Sequence, residues 1–271
     1  FGGDQYIAGQ KEPVIDMPTR FVDFMRVLVP MAGDDTTPEG EQVNIYGNHV
    51  GSWNFAATAY LNRWKVKIYY EHYFDDHSQM FFQYGRWKDG HIGLEITFPK
   101  NRFIDTFVYE GLGTKDQTGP MLYDSFWGEF EEQISAKDNY YNHYLYQGWQ
   151  HWGMGIGNPL LPGPIYNKNG QITFISNRVL AHHIGFCGSP CQSLSYRMLL
   201  SYSRHWGTYD NPLNEIKKQF NSLFEVTYAP QQLKGWSFTV SGAMDRGNLL
   251  GNNYGGMLVI RKQGIIKSGN K

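Results

Sequence analysis

Nothing in the sequence approaches the roughly 18 consecutive apolar residues that a membrane-spanning helix requires; the longest apolar pieces resemble VLVPMA at 27–32. A helical membrane protein is excluded. Charge of one sign is not in excess: 24 Lys and Arg stand against 25 Asp and Glu, scattered along the chain, so a basic nucleic-acid footprint and an acidic tail are both missing. Nucleic acid is not an expected partner. The opening residues, FGGDQYIAGQ, hold neither a charged n-region nor an apolar h-region, so any secretory signal is expected to be removed or to lie upstream.

Cysteine is almost absent. Cys187 and Cys191 lie in FCGSPCQS between two strand-like runs, where Gly and Pro mark a turn whose base a disulfide could bridge. Such a bond would contribute about 2 kcal/mol, and only in an oxidising compartment; two reduced thiols are the alternative. No second ligand pair stands at zinc-site spacing. His182 and His183 are adjacent and point to opposite faces of a strand, and His143 and His151 sit in an irregular region, so neither a metal nor any cofactor is expected.

Aromatic residues are what the chain has in plenty, at 16%, yet mean hydropathy is −0.49 because polar residues fill the gaps. The densest stretch is DNYYNHYLYQGWQHWG at 138–153, where helical and strand periodicities fit equally well. Elsewhere a period of two is plain. In SLSYRMLLSYSRHW, Leu194, Tyr196, Met198, Leu200, Tyr202 and Trp206 alternate with Ser193, Ser195, Arg197, Ser201, Ser203 and His205. WSFTVSGAMD, HIGLEITF and WKVKIYYEHYF repeat the pattern, and weaker alternation runs over 21–29, 52–61, 103–111, 179–187, 219–228 and 253–262. This gives about ten strands and an antiparallel all-β class.

An apolar face can look into a dry core or out at lipid. Strands of about ten residues, long enough to cross a bilayer at a tilt, favour lipid. Apolar faces that begin or end in Trp53, Trp64, Trp206, Trp236, Tyr228 or Tyr254 resemble interfacial girdles. Short connections at 62–63, 100–102, 188–190 and 229–235 alternate with long ones at 30–47, 75–90 and 209–218, the asymmetry of outer-membrane barrels. Lys65 or Lys67 turned toward lipid would cost about 2–4 kcal/mol each, so the polar faces look inward. Lys65, Lys67, Glu71, Glu95, Arg197, Glu225, Asp245 and Arg261 are expected to form ion pairs in the lumen. Residues 112–178 form a long external or lumen-filling excursion that holds none or two further crossings, for about ten to twelve strands in all.

Six motifs in order, DGHIGLEITF (89–98), YEGLGTKDQTGP (109–120), DNYYNHYLYQGW (138–149), IGNPL (156–160), NRVLAHHIGF (177–186) and YSRHWGTY (202–209), resemble the capsule assembly Wzi family in its Bacteroidetes-type branch. The resemblance implies a transmembrane outer-membrane β-barrel of about eighteen strands, of which 1–271 form the C-terminal portion as a single barrel domain. It also implies a lectin-like role in holding capsular or exopolysaccharide at the cell surface, without catalysis. Outer-membrane lipid and lipopolysaccharide are the implied surroundings, and other outer-membrane proteins are partners to consider. Asp138, Asn139, Tyr140, Tyr141, Asn142, Gly148 and Trp149 fall on the family's loop motif, and Asn177, Arg178, His182, His183 and Gly185 on a strand-start motif. YQGW is one residue tighter than the family's pattern.

The ring-rich segment has two readings. Its rings plug the lumen, or some face outward and stack on sugars. The second makes Asn139, Tyr140, Tyr141, Asn142, His143, Tyr144, Trp149 and Trp152 the carbohydrate-binding candidates, with Gln147 and Gln150 as further hydrogen-bonding groups. GMGIGNP at 153–159 is not a dinucleotide loop, since Pro159 would interrupt the helix such a loop needs. EFEEQ at 129–133 reads as a solvated charge run, so no enzyme is expected. A solute channel and a barrel-borne polysaccharide hydrolase remain the alternatives.

Overall fold

The computed structural model describes residues 4–264 apart from 5, 8, 44, 76, 84–88, 102 and 147. Alternating β-branched and aromatic residues build nine long strands: β1 (Gly51–Leu61), β2 (Trp64–Phe74), β3 (Gly90–Thr97), β4 (Thr106–Gly113), β7 (Val179–Cys191), β8 (Leu194–Gly207), β9 (Pro212–Tyr228), β10 (Trp236–Gly247) and β11 (Asn253–Lys262). They form one antiparallel sheet in the order β1-β2-β3-β4-β7-β8-β9-β10-β11, with β1 and β11 at its edges. A two-stranded ribbon, β5 (Gln150–His151) and β6 (Met154–Gly155), stands apart. Short helices α1 (Phe21–Leu28), α2 (Glu39–Val43) and α3 (His77–Met80) complete the elements used below. Among the described residues no helix is long and apolar enough to cross a membrane.

Cross-strand register sorts the side chains into two faces. Glu71 stands opposite His91, His91 opposite Leu112, and Leu112 opposite Ala181, which puts charged, polar and small residues on one face. On this face the excursion lies: Tyr141, Leu161 and Phe174 close a buried cluster with Leu112, Val179 and Ala181. The other face is bare. Phe55, Ile68, Ile92, Phe224, Val240, Leu258 and Ile260 are all more than half exposed along the lengths of their strands.

Because β4 pairs directly with β7, the excursion contributes no crossing of the sheet. Several sequence expectations are corrected. Residues 21–29, expected as a strand, form helix α1: Phe21, Phe24, Met25 and Leu28 recur at helical spacing, and Asp23 caps the N-terminus by accepting the Arg20 backbone N–H at 3.1 Å. Asp23 is fully buried and is also held by the side chains of Arg20 and Arg26 at 2.8 and 3.2 Å, with Asp34 joining both arginines. Hydrogen bonds from Arg20 keep the Asp23 carboxyl below its ordinary range.

The long connection expected at 209–218 is instead a tight turn, since β9 already begins at Pro212. The turn expected at 188–190 also moves: β7 runs through to Cys191, and the reversal falls at Gln192 and Ser193. Both cysteines therefore lie four residues apart in one strand, Cys187 opposite Arg197 and Cys191 opposite Leu194, and both are free. Two Cα atoms so placed on extended chain lie about 13 Å apart, beyond disulfide reach.

Of the expected lumen pairs, two form. Lys65 meets Glu95 at 3.4 Å and Arg197 meets Glu225 at 3.4 Å, each joining neighbouring strands. Lys67 instead lies over the Tyr69 ring, Glu71 accepts from Ser52 at 2.8 Å, and Asp245 accepts from Asn221 at 2.7 Å. Arg261 stands opposite Ser237 on edge strand β11.

Candidate functional site

The site is built where the excursion meets the polar face near the ends of β4, β7 and β8. Asn177, fully buried, organises it. Its Nδ2 donates to Asn139 Oδ1 at 2.5 Å and to the Tyr140 carbonyl at 2.9 Å, while its own carbonyl accepts from Thr114 Oγ1 and Gln117 Nε2. Asn142 stitches the same loop to Phe174 by donating to its carbonyl and accepting its N–H, both at 2.8 Å. Tyr140 is 2% exposed, and its hydroxyl donates to Asp89 at 3.2 Å.

Asp89 gathers three donors, since its carboxylate also accepts the backbone N–H groups of Asp116 at 2.9 Å and Gln117 at 2.5 Å. Burial nevertheless dominates and pushes its pKa up to about 6. Burial likewise raises the Tyr140 phenol well above its ordinary value.

Tyr141 and Trp149 stack, and Tyr141 also meets Phe174 edge-on. The Tyr141 hydroxyl accepts the Asn158 N–H at 2.9 Å and lies so close to Gly157 that a Cβ there would fall 2.5 Å from the oxygen. Gly157 is required for that approach. His143 packs between Tyr144 and Tyr146 and reaches Glu41 at 3.1 Å, tying the excursion to α2.

Three aromatic residues here adopt left-handed backbone: Tyr141 at φ 73°, Trp149 at φ 56° and Trp152 at φ 52°. A bulky residue in this region is a strained outlier that its surroundings must hold, and such strain concentrates at functional positions. Trp152 with Gly153, φ 80°, makes the two-residue turn of the β5–β6 ribbon, two positive φ angles as a type I′ turn needs. The ribbon thereby presents Trp152 at 85% exposure.

The eight expected sugar-contacting residues do not share one surface. Tyr140, Tyr141 and Trp149 line a chamber of about 810 Å3 between the excursion and the polar face. Asn139, Asn142, His143 and Tyr144 line a groove of equal volume on the other side of the excursion. Trp152 belongs to neither. Gln147 lies outside the described residues.

The chamber's far wall comes from the strands. Glu71, His91 and Glu110 sit side by side, with His91 Nε2 at 3.4 Å from Glu110, and the Tyr69 hydroxyl donating to the same oxygen. His183 Nδ1 and Ser201 Oγ are 2.7 Å apart, and His205 and Ser203 follow toward the rim. Sequence reasoning named Glu71 and His183, set His91 and His205 on the polar faces of their strands without giving them a role, and did not single out Glu110. Glu110 shares the phase of Leu112, the partner of His91, and that alternation was the signal that could have found it. Among the described residues no three His, Cys, Asp or Glu side chains are grouped to hold a metal. Comparison with family models, with curated proteins and with solved structures returns no match.

Proposed function

We propose that this sheet is wall of a bacterial outer-membrane β-barrel of the Wzi capsule-assembly kind, which holds capsular or exopolysaccharide on the cell surface without chemically altering it. The observation that carries this reading is the polarity of the sheet. Its apolar face is bare over nine strands, and the chain's own excursion packs on part of its charged face. A water-soluble protein leaves no apolar surface of that extent open, whereas lipid makes such a face favourable.

The sugar-binding half of the proposal is supported by Trp152 and Tyr144. Both are rings held out from the excursion, 85% and 61% exposed, and Trp152 is held there at the cost of backbone strain. The groove beside Tyr144 adds Asn139 and Asp138 as hydrogen-bonding groups for hydroxyls. Retention of purified capsule polymer by the detergent-folded protein is the test. Folded, heat-modifiable protein that fails to retain the polymer would overturn the reading.

A further inference from the structure

We propose that the chamber under the Tyr141–Trp149 stack binds a non-acidic sugar unit, neutral or amino-bearing, and rejects uronic-acid units. This rests on the polysaccharide-holding reading above and adds to it the place and the chemical class.

The chamber has the size and two-sided make-up that such a ligand needs. Its volume of about 810 Å3 falls within the range of about 300–1,000 Å3 typical of small-ligand pockets. The Tyr141 and Trp149 rings offer an apolar surface for the CH face of a sugar, and the facing strands offer hydroxyl, amide and imidazole groups for its hydroxyls.

One buried group there lacks a partner. His205 lines the chamber at 1% exposure, with Nε2 engaged by Ser203 Oγ at 2.9 Å and Nδ1 bonded to nothing. A buried polar atom left unpaired is costly, and a turn of the His205 ring that brings Nδ1 to the chamber would let a sugar hydroxyl satisfy it.

The charges decide the class. Among the described residues, the side chains lining the chamber include the carboxylates Glu71 and Glu110 but no lysine or arginine. Cations on the same face are engaged elsewhere: Lys67 lies over the Tyr69 ring, Lys65 pairs with Glu95, Arg197 with Glu225 and Lys217 with Glu215. A uronate entering would meet two carboxylates that already share the single imidazole of His91 between them, which combines like-charge repulsion with desolvation. A hydroxyl or an amine would instead donate to them in a charge-assisted hydrogen bond.

The experiment is isothermal titration of the detergent-folded full chain at pH 8. The probes are oligosaccharides released from the source bacterium's capsule, one batch with its carboxyls reduced to alcohols and one with its primary alcohols oxidised to carboxylates. The reduced batch is expected to bind at least about tenfold more tightly. In the double variant Glu71→Gln, Glu110→Gln that ratio is expected to collapse to within about twofold, and His205→Phe should weaken the reduced batch by about tenfold. Equal binding of the two batches, a ratio unmoved by the double variant, or no binding of either would overturn the proposal. Each variant is first checked for heat-modifiable folding, and the single variant Glu71→Gln replaces the double one if that fails to fold. Retention of intact polymer by the same preparation separates the two levels: polymer held while the chamber tests fail removes only the chamber, and polymer not held removes both.

Discussion

The indole of Trp149 lies parallel to the ring of Tyr141, with centroids 5.1 Å apart and planes within 8°. The stack roofs the chamber, so its loss is expected to loosen the excursion and leave the sheet standing. Trp149→Ala should cost about 1–3 kcal/mol of the excursion's local stability, less than the removal of a fully buried ring because Trp149 is half-buried. Protease cutting within 114–178, with unchanged heat-modifiability of the folded protein, is the readout.

Trp152 should behave oppositely. It is a ribbon tip with 85% of its surface free, so Trp152→Ala is expected to change stability by no more than about 0.5 kcal/mol. Polymer retention should fall nonetheless. Unaltered retention would return the ring to a passive surface role.

Ile68 sits mid-strand on the bare face of β2 and is 55% exposed. If lipid covers that face, Ile68→Lys costs about 2–4 kcal/mol in denaturant unfolding of the vesicle-inserted protein. In water the same change would stay within about 0.5 kcal/mol. The measured cost discriminates between the two environments directly.

Asp89 predicts a pH dependence of definite sign. Its folded pKa of about 6 lies above the ordinary 3.8, so the folded state holds the proton more tightly than the unfolded one. The stabilisation is full below about pH 3.8 and is lost as pH rises through about 6, on the order of 3 kcal/mol in total. Hydrogen exchange of the excursion at pH 4 and pH 7, in the wild type and in Asp89→Asn, reads this out. The difference between the two proteins should carry the slope.

Asn177→Ala removes both donors that tie β7 to the loop at Asn139 and Tyr140. It strands the Tyr140 carbonyl in a buried setting, at a cost of about 1–3 kcal/mol. Faster amide exchange across 139–142, with that of β8 and β9 unchanged, is the expected result.

The sheet and its polarity were legible in the sequence because strand faces alternate with a period of two, so Tyr196, Met198 and Leu200 declare one face and Arg197 and Ser201 the other. Helix α1 was not, since FVDFMRV satisfies both periods and was decided by Arg20, Arg26 and Asp34, the last of which lies beyond the segment. The start of β9 reads as loop because Asn214 and Lys218 interrupt its apolar face. The site was legible only in outline. Asp89 finds its donors 27, 28 and 51 residues away, and contacts at such separations leave no local pattern.

Nine strands that alternate in direction leave the first and the ninth pointing the same way, so both margins, β1 and β11, run from the excursion's end of the sheet toward its tight hairpins. Zipped directly together they would make a parallel seam in an otherwise antiparallel wall. A ring with every neighbour opposed therefore takes an odd number of additional staves, whatever their source, and its total comes out even. The same parity bars an identical molecule, inserted in the same orientation, from closing the ring without parallel seams.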